Sequence, residues 1–182
     1  GLEVLVDAFI ELRNGLGHPD CRLGIAGTCT KGDEALVAEM EAKLAEAGLA
    51  EAVEWRPNLS REEKADFLRR LTLFSVPAIY PEAFGLYAVE ALASGVPIVQ
   101  PDASAFPEFV GATGGGRLFD PGDPKALAAS WKELLDDPDE IRALGDRARR
   151  GAAEHYSVAA MKDGFTALAE RVLTPAGAPA AE

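Results

Sequence analysis

Two glutamates, Glu82 and Glu90, stand eight positions apart in the stretch 80–97. Apolar residues between and after them follow a helical spacing, and Gly95 with Pro97 is typical of the end of a helix. A helix of this composition is expected to be buried, and an unpaired buried carboxylate costs free energy. Glu90 is therefore expected either to have an internal partner or to face a pocket.

Gly85 lies at the start of this predicted helix. A glycine allows a ligand to come close to the first backbone N–H groups of a helix. Those groups have no partner within the helix, and they favour an anion such as a phosphate. The stretch thus combines two carboxylates with a candidate anion site.

Composition limits the classes of ligand. The 182 residues include 30 acidic and 18 basic side chains, which gives a formal net charge of −12. Proteins that bind nucleic acids or anionic membranes need a basic surface, so both classes are excluded as leading interpretations. A phosphate ligand would have to be held by local amides and a few cations. Cys21 and Cys29 fit no metal-binding spacing, and we predict no metal site and a reduced pair.

The pattern along the chain predicts one α/β domain over residues 1–173 and a disordered tail over 174–182. Ser60 and Glu63 form a predicted capping box at the start of a helix. The predicted helices cover 2–12, 33–47, 60–70, the stretch after Gly85, one turn at 107–110, and then 125–135, 138–155 and 158–173. The predicted strands cover 21–27, 51–56, 73–78, 96–100 and 116–119.

Strands that alternate with helices predict a parallel sheet with helices on both faces. In such sheets, ligands bind outside the carboxyl ends of the strands, where the strand order reverses. The loop with Glu82 directly follows the predicted strand 73–78, so it should lie at that edge. The motif and the architecture therefore indicate the same place.

The segment that contains Glu82, Phe84, Gly85, Glu90 and Gly95 resembles a motif of retaining GT-B glycosyltransferases, in particular the GT4-like group. Further similar features are Phe106-Pro-Glu108, the glycines at 114–116 and the stretch 120–127. The resemblance extends from Gly1 to about residue 173. It implies a Rossmann-like fold, the C-terminal half of a GT-B fold, that binds a nucleotide-sugar. It also implies transfer of the sugar to an acceptor with retention, without a metal and without a cofactor beyond the donor.

The resemblance also implies roles for individual residues. Glu82 would contact the donor sugar near the reacting carbon, and Glu90 would accept hydrogen bonds from the ribose hydroxyls. Amides near Phe84, Gly85 and Leu86 would take the diphosphate between them. Eight residues of helix rise by ~12 Å, which is roughly the distance from the ribose to the sugar across a pyrophosphate. Arg56 and Asn58 lie where the family presents its base-binding edge, although the family's usual glycine is replaced there.

Each role has an alternative. Glu90 could be a structural carboxylate that caps a neighbouring loop, and Glu82 could be a surface acid. For the protein, the alternatives are a noncatalytic nucleotide-sugar-binding or scaffold module and half of a GT-B-like epimerase or phosphorylase. No apolar run reaches the ~18 residues of a membrane span. We expect a cytoplasmic protein, with peripheral attachment to the inner face of the membrane as the alternative.

The resemblance places one strand, together with the Arg and Lys that bind the diphosphate, upstream of Gly1. In the strand order 3-2-1-4-5-6 that strand is central. We therefore expect an interruption between the strands 21–27 and 73–78. An upstream segment, a strand of a neighbouring chain or a collapse of the two halves could fill it, and we favour the upstream segment. The N-terminal GT-B domain would be a partner, and the 182 residues alone are expected to be inactive.

Overall fold

The structure, a computed structural model, describes residues 1–173. The predicted disordered tail, 174–182, lies outside the described residues. Strands and helices alternate over the first two thirds of the chain and helices follow, as the sequence pattern predicts. The helices are α1 Leu2–Ile10, α2 Glu34–Glu46, α3 Arg61–Arg69, α4 Leu86–Ala93, α5 Phe106–Thr113, α6 Pro124–Leu135, α7 Pro138–His155 and α8 Val158–Leu173. The strands are β1 Leu23–Gly27, β2 Val53–Pro57, β3 Ile98–Pro101 and β4 Gly116–Phe119.

Local signals account for several of these boundaries. The capping box of α3 is present: Glu63 N–H donates to Ser60 Oγ, and the Glu63 carboxylate accepts from Ser60 N–H. In α6 the Asp123 carboxylate accepts from the first-turn amides, and a proline occupies the first turn, where its missing N–H costs nothing. The first helix continues into a short π-helical segment, Glu11–Gly15, before the chain turns.

All strand pairs are parallel, and they form two separate ladders among the described residues. β1 pairs with β2, and β3 pairs with β4. Neighbouring residues of β3 point to opposite faces of the sheet. Val99 packs into a cluster with side chains of α1, α2 and α6, whereas Ile98 packs into one with side chains of α4, α5 and α7. The sheet is therefore covered on both faces, and the predicted α/β class is confirmed.

The expected interruption lies between the two ladders. β1 makes no ladder with residues 73–78, and a cavity of about 1220 Å³ separates them. We call this cavity the slot; it is lined by 23–28 on one side and by 71–78 on the other, and Gly1 and side chains of α1 and α3 also contribute. The segments 21–27 and 73–78 therefore do not pair directly with each other, and this agrees with the interruption expected from the sequence.

Two element predictions were wrong. Residues 73–78 form no regular strand, because only Phe74 makes a bridge, to Ile98. The next amide that faces β3 is that of Val76, and it donates to the Gln100 side chain at 3.1 Å instead of to a backbone carbonyl. Pro77 has no N–H to donate. The predicted single turn at 107–110 is the eight-residue α5, which buries Phe106, Phe109 and Thr113 at helical spacing.

Among residues 1–173, no helix is both long enough and apolar enough to cross a membrane.

Candidate functional site

Glu82 is the centre of a network that shapes the loop before α4. Its backbone N–H donates to Ser104 Oγ at 3.1 Å, which ties this loop to the one that follows β3. One carboxylate oxygen accepts from the Phe84 N–H at 3.3 Å, and the other accepts from the Tyr87 hydroxyl at 3.0 Å. Ser104 has a φ of 58°, a left-handed conformation that is uncommon for serine. The loop that follows residues 73–78 and the loop that follows β3 are thereby held together.

Gly85 gives α4 an uncapped beginning. Its φ is 81°, and a Cβ there would lie 3.3 Å from both Glu82 Cγ and Phe106. A side chain would therefore be strained twice, by conformation and by contact. No side chain caps the helix, and among residues 1–173 the amides of Leu86 and Tyr87 have no hydrogen-bond acceptor. These two N–H groups can donate to an anion in front of the helix.

Phe84 and Leu86 flank this turn. The Phe84 ring packs edge-on against Phe109 at a centroid distance of 5.4 Å and against Tyr156 at 6.4 Å, which anchors the loop to α5 and to the end of α7. The Phe84 side chain is nevertheless 46% exposed, and that of Leu86 is 67% exposed. Of the three amides predicted to hold the diphosphate, the Phe84 amide is already bound to Glu82, and the Leu86 amide is open.

Glu90 has both of the features expected of it. Its carboxylate accepts from Lys64 Nζ at 2.6 Å, and both side chains line the slot. Their side chains are 40% and 45% exposed, so the ion pair is hydrated and contributes little to stability, about 0–1 kcal/mol. The sequence analysis missed Lys64. It lies 26 positions from Glu90 in another helix, and no local pattern links the two.

The two glutamates do not lie on one helix. α4 begins at Leu86, so Glu82 belongs to the preceding loop and Glu90 to the second turn. The span of ~12 Å derived from helix rise therefore does not apply, because only four of the eight steps are helical. The buried face of α4 consists of Ala88, Ala91 and Leu92, and Glu90 lies beside this face rather than within it.

Arg56 and Asn58 lie at the carboxyl end of β2, apart from the slot lining. Arg56 pairs with Glu54 at 3.0 Å. Asn58 has a φ of 56°, and its side-chain amide both donates to and accepts from the Cys29 backbone at 3.0 Å. Asparagine tolerates this left-handed conformation better than most residues. The base-binding role of both residues stays a prediction.

Tyr87 is linked to the site by the hydrogen bond from its hydroxyl to Glu82. Its half-buried position raises the pKa of its hydroxyl well above the usual value of 10.0, and the hydrogen bond to Glu82 raises the pKa further. The hydroxyl therefore stays protonated at neutral pH and donates to Glu82.

Within residues 1–173, no three His, Cys, Asp or Glu side chains converge as a metal-binding group.

Comparison with known proteins identifies the family. A sequence model described as "Glycosyl transferases group 1" matches residues 1–151. The chain belongs to this family. The MMP alpha-(1->4)-mannosyltransferase of Mycolicibacterium hassiacum is 45% identical over 118 residues, which are 64% of this chain and 28% of the relative. The D-inositol 3-phosphate glycosyltransferase of Thermobispora bispora is 34% identical over 173 residues, which are 88% of this chain and 40% of the relative. The chain thus spans less than half the length of these relatives.

Solved structures establish the fold of this family member. Anabaena HepE in complex with UDP superimposes with a TM-score of 0.83 at 22% identity, over 94% of this chain and 45% of that chain. The C-terminal domain of the group 1 glycosyl transferase LpcC from Francisella tularensis superimposes with a TM-score of 0.78 at 23% identity, over 87% of this chain and 80% of that chain. The prediction of a GT-B C-terminal half is confirmed.

The Tyr87 hydroxyl provides a test of the site network. Because its folded pKa is raised, its contribution to the unfolding free energy is complete below about pH 10 and is lost as the pH rises above that value. We expect Tyr87→Phe to make the unfolding free energy fall less steeply between about pH 9 and 11. Urea denaturation at several pH values measures this slope. Tyr80→Phe, at a 66% exposed ring, is the control, and equal slopes for wild type and Tyr87→Phe contradict the network.

Proposed function

We propose that residues 1–173 are the donor-binding half of an enzyme that moves a sugar from a nucleotide-sugar to an acceptor. One observation carries this proposal: the uncapped start of α4 at Gly85 stands between the Glu82 loop and the Glu90 carboxylate. An anion site flanked by two hydrogen-bond acceptors suits a diphosphate with a sugar on each side. Family membership supports the same reading, because the curated relatives are named as mannosyl- and glycosyltransferases.

The diphosphate would accept hydrogen bonds from the Leu86 and Tyr87 amides. The positive end of α4 adds to this attraction, by about 0.3–1 kcal/mol at an exposed site. Lys64 is the cation nearest to Glu90 along this part of the slot, and its pairing leaves the Glu90 carboxylate with further lone pairs for ribose hydroxyls. Lys64 would act by holding the Glu90 carboxylate in place.

Glu82 would contact the transferred sugar. Two of its lone pairs accept from Phe84 and Tyr87, and an ionised carboxylate has roughly four such positions, so two remain for the donor. We further propose that transfer proceeds with retention, as the resemblance implies. Proton NMR of the first-formed product gives the anomeric configuration, and an inverted product contradicts this part.

The nucleotide base and the sugar stay open. HepE was solved with UDP and, separately, with UDP-glucose, so uridine donors are the first to assay. A noncatalytic nucleotide-sugar-binding module and an epimerase half remain the alternatives. These functions can be separated by measuring donor hydrolysis and transfer with two samples. One is the 182 residues alone, and the other is a longer polypeptide in which they follow the expected N-terminal GT-B domain. We expect transfer from the longer polypeptide only.

The two glutamates should differ in what they bind. Glu90→Ala should weaken binding of a nucleoside diphosphate by about 1–3 kcal/mol, because hydrogen bonds from ribose to a charged acceptor are lost. Glu82→Gln keeps an acceptor oxygen for the loop, and it should spare this binding but reduce sugar transfer. Isothermal titration calorimetry with the nucleoside diphosphate measures the first effect, and a transfer assay measures the second.

The control for this pair is Glu133→Ala. Glu133 also forms a surface ion pair, with Arg117 at 2.8 Å, but it does not line the slot. Its replacement should change neither binding nor transfer. Equal losses of diphosphate binding in Glu90→Ala and Glu82→Gln would refute the division of roles.

We also propose that the reaction needs no metal ion. The helix amides and local cations would stabilise the departing diphosphate, which is the task that a divalent ion performs in metal-dependent transferases. Transfer by the longer polypeptide should therefore continue at an unchanged rate in a chelator such as EDTA. The contrary result is activity that disappears with the chelator and returns with added Mg²⁺ or Mn²⁺.

A further inference from the structure

Gln100 is a completely buried polar side chain in β3, a strand whose residues are all buried. Its side-chain oxygen, Oε1, accepts from Val76 N–H at 3.1 Å, whereas its side-chain nitrogen, Nε2, is buried and has no hydrogen-bond partner among residues 1–173. The other buried polar side chain in this range is that of Thr113, and its hydroxyl both donates to Phe109 C=O and accepts from Gly115 N–H. Gln100 therefore lacks a partner that a buried amide normally has.

The backbone carbonyl of Val99, next to Gln100, is also unpaired. Val99 N–H donates to Phe74 C=O, so the backbone groups of Val99 point to the segment 73–78 and not to β4. In a regular parallel ladder the Val99 C=O would accept from Val76 N–H, but that amide donates to Gln100 instead. Among residues 1–173 the Val99 carbonyl accepts no other hydrogen bond, although Val99 is fully buried.

Pro101 explains why the regular ladder stops at this point. Phe74 is bridged to Ile98, so the next ladder bond would run from the N–H of residue 101 to Val76 C=O. Pro101 has no N–H and cannot make this bond. Val76 C=O accepts from Ala78 N–H at 2.8 Å instead, and the chain turns away from β3.

The two unpaired groups lie at the same edge of β3. The Gln100 side chain reaches Val76 N–H, so its amide group lies at the edge that faces 73–78, and Val99 C=O points to that edge too. Nε2 is a donor and the carbonyl is an acceptor. One water molecule can bond to both, and buried waters typically bind to such otherwise unpaired polar groups.

We propose that Gln100 is a positioning residue for Glu82. It binds Val76 directly, and it holds a buried water molecule together with the Val99 carbonyl. These contacts replace the ladder bonds that Pro101 prevents. The water site rests on the geometry of the sheet alone, whereas its effect on sugar transfer rests on the proposed function.

The loop with Glu82 is tied to β3 at two places. Gln100 holds Val76, before the loop begins, and Ser104, after β3, accepts from the Glu82 N–H at 3.1 Å. Loss of the first tie leaves the loop held to β3 by the second alone. Glu90 lies on α4 and is paired with Lys64, so its position does not depend on Val76.

The water is tested by a crystal structure of the protein that resolves ordered solvent. We expect a water oxygen at about 2.7–3.2 Å from both Gln100 Nε2 and the Val99 carbonyl oxygen. In Gln100→Met, whose side chain has a similar length but no amide, this water should be lost. A direct hydrogen bond from Nε2 to a protein group, with no water at Val99, would overturn the proposal.

The effect on Glu82 is tested in solution with the same variant. Gln100→Met should shift the ¹⁵N amide resonance of Glu82, because the bond from this amide to Ser104 depends on where the loop lies. It should lower kcat for sugar transfer by about ten- to a hundredfold, because a misplaced group at the reacting centre costs rate. The dissociation constant for uridine diphosphate, measured by calorimetry, should stay unchanged.

Thr113→Val is the matched control. It also removes the hydrogen bonds of a buried polar side chain, but Thr113 bonds to neither 73–78 nor Glu82. It should lower the unfolding free energy and leave kcat and the Glu82 amide unchanged. If Gln100→Met behaves in the same way, Gln100 is only structural and the proposal is wrong. A wild-type protein that transfers no sugar contradicts the proposed function instead, and the water and the Glu82 amide still decide this inference.

Discussion

The pair of hydrogen bonds between Phe74 and β3 determines where the site lies. Phe74 joins Pro97 and Val99, and Gln100 takes the amide of Val76, so the segment 73–78 is tied to a completely buried strand. The loop with Glu82 leaves directly from the end of that segment. Because β3 ends at the same edge, its following loop brings Ser104 to the Glu82 amide. Backbone pairing in the sheet thus sets the position of a carboxylate that has no secondary structure of its own.

The electrostatics of the site are local. The chain has a net charge of −12, so its overall field repels an anionic donor. The uncapped amides of α4 act over short distances and do not depend on this net charge. Lys64, one of the cations that line the slot, is already paired with Glu90.

The sequence predicted the elements whose signals are local. The bounds of β4, α7 and α8 agree with the predicted ranges, because turn residues, prolines and regular apolar spacing mark their ends. The capping box of α3 and the break in the sheet were also predicted correctly. The prediction of a strand at 73–78 was wrong because an apolar run does not reveal whether a neighbouring strand is present on both sides. The helix-rise argument failed because α4 begins only at Leu86, four residues after Glu82.

The missed site residues share one cause. Lys64 reaches Glu90 from another helix, and Ser104 reaches Glu82 from a loop 22 positions away. Neither residue type nor spacing distinguishes them from other surface lysines and serines. The Tyr87 ring packs between Phe74 and Phe106, and its hydroxyl also donates to Glu82. Such contacts depend on tertiary structure, which the sequence pattern does not contain.

The central claim is that the start of α4 holds the diphosphate of a nucleotide donor. The most direct measurement is a titration of the ¹⁵N-labelled protein with uridine diphosphate, followed by amide chemical shifts. The Leu86 and Tyr87 amides should show the largest saturable shifts, because they are the uncapped donors in front of the ligand. The amides of Val99 and Leu118, inside β3 and β4, serve as references that should move little. If uridine and guanosine diphosphates both bind and leave Leu86 and Tyr87 unshifted, the diphosphate lies elsewhere and the account is wrong.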